Sequence, residues 1–332
     1  MMFLNVALLG ALVSPARAAD AATDWMPLSA GNEWIFSDGT TATRVGVDDT
    51  WEDDYYYLTG MLGRDFWVWN DGVDADLWQY NSDAGTWDGL LETDSASTWS
   101  IKVGNQYCST YAGSLSASGV STAAAGTRFT DTKTWSIDLV PEANARCMPK
   151  TMQDITFARG VGPVAFESAR GESWTLQGAR IDGTWIAAAA ASASDGGVEV
   201  SILVDATSHA HTDNGIRCIT TPCPSMDAAE VLVTVVLANT GSSTETLDFS
   251  SGLQVDIDLY DSEASWVGSW SDGQMFTQAT TQITLAAGER KLLTRTVRVA
   301  DRDGALVHGD FAVAAWIPAL DAYPYVWLET QN

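Results

Sequence analysis

The stretch VLVTVVLANTG, residues 231–241, and the stretch LQVDIDLY, residues 253–260, decide the fold. In the first, Val231, Val233, Val235 and Leu237 fall on one face of an extended chain, because successive side chains of a strand point to opposite sides. Asn239-Thr240-Gly241 then ends the run with turn chemistry. In the second, Leu253, Val255, Ile257 and Leu259 alternate with Gln254, Asp256, Asp258 and Tyr260, which predicts a half-buried strand. Upstream, Val198, Val200, Ile202 and Val204 share one face of another. Downstream, the same patterning predicts strands at 282–285, 291–299, 311–317 and 325–330. Roughly seven to nine strands separated by turns is the count of an immunoglobulin-like β-sandwich, which we place at 198–330.

Residues 23–186 carry a different all-β pattern. Short aromatic and β-branched runs are broken by turns such as Ser37-Asp38-Gly39, Asn70-Asp71-Gly72 and Ser82-Asp83-Ala84-Gly85, which predicts an antiparallel domain, a roll or open barrel. Asp65–Trp69 and Ala75–Tyr80 read as a hairpin whose first strand turns Phe66 and Val68 one way and Trp67 and Trp69 the other. Eleven of the fifteen tryptophans lie in this part. Most are expected to pack across strands, and Trp67 and Trp69 are the candidates for an exposed ligand platform. Gly31-Asn32-Glu33-Trp34-Ile35-Phe36 and Phe157-Ala158-Arg159-Gly160-Val161-Gly162-Pro163-Val164 resemble a recurrent pattern of uncharacterised exported bacterial β domains. Physically each is a turn that launches a strand.

Between the two parts, residues 187–197 are rich in alanine and end in Asp195-Gly196-Gly197, so we read them as a linker. At the N-terminus, the apolar run Met1–Val13, Pro15, and the small residues Ala16 and Ala18 read as a signal peptide over 1–18, although no basic residue precedes the run. That run is shorter than the roughly 20 residues that cross a bilayer. The expected location is therefore outside the cytoplasm, periplasmic or extracellular, with no membrane span.

Forty-three acidic residues against seventeen basic give a net charge of −26, which repels phosphate backbones and excludes nucleic acid as a partner. At 46% apolar and 18% charged the chain is nevertheless globular in composition, and the acidity reads as a solvated surface. The four cysteines form an even set, and in an oxidising compartment the simplest pairing is local, Cys108 with Cys147 and Cys218 with Cys223.

Candidate chemistry is sparse. No Gly-x-Ser-x-Gly elbow occurs, and the histidines are His209, His211 and His308, so a hydrolase of the triad type is not expected. Asp48/Asp49 and Glu52/Asp53/Asp54 read as solvated loops. His209, His211, Cys218 and Cys223 have the number of ligands a zinc site needs, but bridged cysteines are lost as thiolates. Asp71, Asp74 and Asp76, and Asp301 with Asp303 before Gly304, are oxygen-rich turns that do not match a calcium loop. No catalytic residue, metal or cofactor is assigned from the sequence.

From Val231 to Val299 the chain resembles the BsuPI-type proteinase inhibitor family, and we extend the resemblance to about 197–330. It is carried by Asn239, by Ser251-Gly252-Leu253-Gln254 leading into a strand that ends at Tyr260-Asp261, by Trp270-Ser271-Asp272-Gly273, by Met275-Phe276-Thr277-Gln278, and by Ala287-Gly288-Glu289. Gly268 and Ser269 stand where the family tends to carry a tryptophan and a basic residue. The resemblance implies a β-sandwich and a proteinase as partner, with Ser269, Trp270, Ser271, Asp272, Gly273 and Phe276 as candidate contact residues. For the same residues the sequence also supports a structural reading, Trp270 and Phe276 as hairpin anchors and Ser271 and Asp272 bonded to the turn. The expectation is an exported, non-enzymatic binding protein that inhibits a proteinase. The alternative is a secreted or envelope adhesion protein with a Trp-rich ligand-binding domain and a surface or secreted protein partner.

Overall fold

The computed structural model describes residues 25–29, 31–37, 41–47, 55–61, 64–70, 75–81, 86–92, 98–101, 110–140, 154–167, 171–213 and 226–331. Within them the fold is all β, and no helix is long and apolar enough to cross a membrane. The leader-like residues 1–18, all four cysteines, the paired acids of 48–54, and Asp71 and Asp74 lie outside the described residues.

The first part is one large antiparallel sheet made of two meanders. One runs outward from Glu33–Phe36 through Thr41–Val47, Tyr55–Met61, Arg64–Asn70 and Ala75–Asn81 to Thr86–Glu92; the other runs outward from Ser173–Ile181 through Gly162–Glu167, Asp154–Ala158, Thr132–Val140 and Thr110–Ser118 to Thr98–Ile101. They join where Glu33–Phe36 pairs with Ser173–Ile181. The order of pairing stays open at both ends, so these strands form no closed barrel. The expected hairpin is present, with Val68 opposite Leu77 and Trp69 opposite Asp76.

The two stretches singled out as turn-and-strand signals meet at this junction. The Trp34 indole N–H donates to the carbonyl of Val161 at 2.6 Å, and Gly162, at φ +100°, holds the backbone so close that an added Cβ would stand 2.8 Å from Trp34 Nε1. Only glycine fits there, on both counts. Asn32 locks the entry by donating to the Pro27 carbonyl at 3.0 Å and accepting the Asp182 N–H at 2.8 Å. Trp25, Trp34, Phe36, Trp135, Phe157 and Phe166 gather around this point as the core of the first part.

The second part is a sandwich. One sheet orders Ala189–Asp195, Val198–Val204, Glu230–Asn239 and Arg290–Arg298; the other orders Ser208–Ala210, Tyr325–Gln331, Asp310–Trp316, Asp256–Tyr260 and Trp266–Ser269. A ribbon of Glu245–Phe249 with Thr281–Leu285 packs alongside. The alternating sets read from the sequence supply the core: Val198, Val200, Ile202 and Val204, then Val231, Val233, Val235 and Leu237, then Val255, Ile257 and Leu259.

Residues 187–197, read from the sequence as a linker, are built largely of strand. Ala189–Asp195 is a full strand paired with Val198–Val204 across the Gly196-Gly197 turn, and only Ala188 separates it from Thr184–Ala187 of the large sheet. Ala189, Ala191 and Ala193 pack on the sandwich core, while Ala187 and Ala190 pack on a second cluster. Only Ser192 and Ser194 alternate with the alanines, and side chains this small give the period of two little contrast.

That second cluster joins the parts. Ile35 of the large sheet packs with Leu203 and Val236 from the outer face of the four-stranded sheet, all at most 1% exposed. Thr234 donates to Gln177 Oε1 at 2.8 Å. Two ion pairs span the seam, Arg180 to Glu199 at 2.6 Å and Arg290 to Glu33 at 3.1 Å.

Candidate functional site

The residues that carry the resemblance converge on two latches and one loop. At the first latch, the Asn239 amide donates to the carbonyls of Ser243 at 2.7 Å and Leu285 at 2.9 Å. The Gly288 N–H reaches the Asn239 carbonyl at 3.0 Å, and the Asn239 N–H reaches Glu289 at 2.9 Å. One buried amide thereby fixes the strand end against the 286–289 turn. At the second, the Gly252 N–H donates to Thr277 at 2.9 Å, and a Cβ on Gly252 would meet Thr277 Oγ1 at 2.7 Å. These are structural roles.

The loop is residues 270–280, between the edge strand Trp266–Ser269 and Thr281–Leu285. Its first limb is tied to the sheet. Asp256 accepts the Ser271 N–H at 3.0 Å and, in a short bond, the Ser271 hydroxyl; the Trp270 N–H donates to Ile257 at 2.8 Å. Burial pushes the Asp256 carboxyl above its ordinary value against the lowering effect of the Ser271 bonds. Trp270 lies half-buried with Phe276 at 6.1 Å between ring centroids and the Arg295 guanidinium at 4.4 Å from its own, so a cation–π contact and a ring pair hold the loop base. Asp272 accepts the Ser269 N–H at 2.9 Å, and the Gln274 amide donates to Trp270 at 2.6 Å. Gly273, at φ +75°, makes the reversal.

At the tip stands Met275, 99% exposed. Of the residues expected to make contact, Trp270, Ser271 and Phe276 are thus turned to the body of the domain, Ser269 and Asp272 bond each other, and Gly273 shapes the turn. Met275 is the apolar group left facing outward. Its sequence signal, an unbranched apolar residue two positions after a turn glycine, was present but read only as part of the motif.

Other candidate residues resolve into structure. His211 uses both ring nitrogens, Nε2 against the Val307 carbonyl at 2.9 Å and Nδ1 accepting the Ala229 N–H at 2.9 Å, and His209 Nε2 lies 3.0 Å from the Ala206 carbonyl. Asp301 accepts the N–H groups of Asp303 at 3.0 Å and Ala305 at 2.7 Å, as an Asx turn does. Among the described residues no group of three or more His, Cys, Asp or Glu is placed to hold a metal. The side chains of Trp67 and Trp69 lie outside the description, and their backbones pair with Tyr57 and Tyr55.

The second part is thus a β-sandwich that presents an exposed apolar residue, Met275, on a braced loop. Residues 224–322 match the family model described as BsuPI, intracellular proteinase inhibitor. This span lies inside the region of the resemblance and contains both latches and the loop. Among curated proteins no match is found.

Proposed function

We propose that this protein is a non-enzymatic proteinase inhibitor and that the 270–280 loop is its contact element, with Met275 as the residue that enters the proteinase. The observation that carries the reading is a fully exposed apolar side chain on a loop tied down on both limbs, within the span that matches an inhibitor family. Ordering a loop on binding costs affinity, so a loop already ordered by Asp256, Gly252 and the Trp270–Arg295 stack retains more of its contact energy. Methionine is enriched at protein interfaces, where a few central residues carry most of the binding energy.

The test is titration of the full chain against serine, cysteine and metallo-proteinases, followed by Met275→Asp on any that respond. The variant is expected to lose inhibition by about 30-fold or more, the effect of an interface hot spot of about 2 kcal/mol, with an unchanged unfolding midpoint. Full proteinase activity across the panel at micromolar inhibitor would sink the proposal.

We further infer export, on the leader-like N-terminus and the even set of cysteines, against the word intracellular in the description of the family. Cell fractionation decides: recovery of the chain solely from the cytoplasm, with residues 1–18 intact, refutes it.

A further inference from the structure

The outer face of the five-stranded sheet is open. Among the described residues, five of the seven large apolar side chains left exposed are on it or at its end: Trp266, Trp316, Tyr323, Tyr325 and Trp327. The strand register aligns them. Trp327 stands opposite Ala312, Ala312 opposite Tyr260, and Tyr260 opposite Trp266. In the next row Tyr325 stands opposite Ala314, Ala314 opposite Asp258, and Asp258 opposite Ser269. Ala312 and Ala314 are at most 3% exposed although they point outward, so the larger side chains beside them close over them and present their own rings to solvent.

The face has a polar centre. Asp258 accepts short bonds from the hydroxyls of Ser269 and Tyr323 and a long one from the Trp266 indole at 3.4 Å. The Tyr260 and Tyr323 oxygens are 2.8 Å apart. These bonds hold the carboxylate and two phenol rings in fixed positions. Asp310 and Glu329, opposite each other, add acid at one end of the same face. None of the five strands contains a Lys or Arg.

Aromatic rings attract cations through their faces, and the carboxylates on these strands add to that attraction. A second copy of this chain, at −26, carries the wrong charge. Of the cationic groups, the guanidinium is planar, weakly hydrated and stacks on aromatic faces while bonding carboxylates.

We propose that this face is a binding site for an arginine-bearing polypeptide segment, whose guanidinium groups stack on the exposed rings of Tyr325 and Trp327 on the face that carries Asp258. The site is separate from the Met275 loop and does not depend on the inhibitor reading.

The experiment follows intrinsic tryptophan fluorescence of the full chain during titration with a blocked (Gly-Arg)4 peptide, a matched (Gly-Gln)4 peptide and a neutral β-1,4-linked glucose hexasaccharide. The arginine peptide is expected to bind and the other two not. The double variant Tyr325→Ala/Trp327→Ala is expected to weaken binding at least tenfold, with the far-ultraviolet circular dichroism of the parent. Trp327→Phe, which keeps a ring, retains most of it, and Met275→Asp leaves it unchanged. Equal binding by the double variant would mean diffuse attraction to an acidic chain and overturns the proposal. So does binding of the hexasaccharide without the arginine peptide, which would make the face a glycan site.

Discussion

The two outer faces of the sandwich are built from the same alternation and end differently. On the four-stranded sheet, Leu203 and Val236 are sealed under Ile35 of the large sheet, with Leu292 beside them, and even the polar Ser201 and Thr234 are at most 1% exposed. On the five-stranded sheet, Tyr325 and Trp327 stay 55% and 45% exposed. Covering the first face makes the strands Val198–Val204 and Glu230–Asn239 buried on both sides, and they read as nearly continuous apolar runs, SILV and VVLA. The open face keeps strict alternation along Tyr325–Gln331. A sheet face that meets a fixed neighbour uses compact aliphatic side chains for close packing. One left open with large amphipathic rings is suited to a transient partner.

The largest expected effect comes from placing a charge on the covered face. Leu203→Asp leaves an unpaired carboxylate in a dry seam and should destabilise by about 3–5 kcal/mol, seen as a lower urea midpoint. A loss under about 1 kcal/mol would mean that the seam opens to water and that the two faces do not differ as described.

A smaller effect sharpens the same contrast through pH. Glu33 is 1% exposed at the side chain, and burial raises its pKa above the ordinary 4.5 although Arg290 and Arg180 pull it down. A raised native pKa means that the folded chain holds the proton more tightly, so this group's contribution is full below 4.5 and is lost as pH rises through the native value. The slope for one proton is at most about 1.4 kcal/mol per pH unit. Subtracting the stability curve of Glu33→Gln from that of the parent should reveal this fall with rising pH. A difference that rises with pH would show that the Arg290 pair outweighs burial.

The smallest effect belongs to the open face. Trp327→Asp should change stability by no more than about 0.5 kcal/mol, as exposed substitutions usually do. A loss of about 2 kcal/mol or more would show that the ring is part of the core.

The period of two was enough to place Val198–Val204, Glu230–Asn239 and Tyr325–Gln331, because each has at least one face of uniform character, and turn residues such as Asn239 and Gly288 punctuate them; it did not reveal Glu245–Phe249 or Trp266–Ser269. Pattern alone also drew attention to Trp34 and to Gly160–Pro163, but not to their contact. The indole–Val161 bond joins positions 127 residues apart in sequence, and only folding brings them together. The same holds for the alanine strand 189–195, whose side chains are too small to give a periodic signal, and for the site. Trp270 and Phe276 were legible as aromatic residues near a turn, yet whether they faced outward or onto Arg295 depended on a strand remote in sequence. Local chemistry thus determined which residues extend, turn and alternate. The tertiary structure decided which face was covered, which was left open, and that Met275 rather than Trp270 leads the loop, because exposure is a property of what packs against a residue and not of the residue itself.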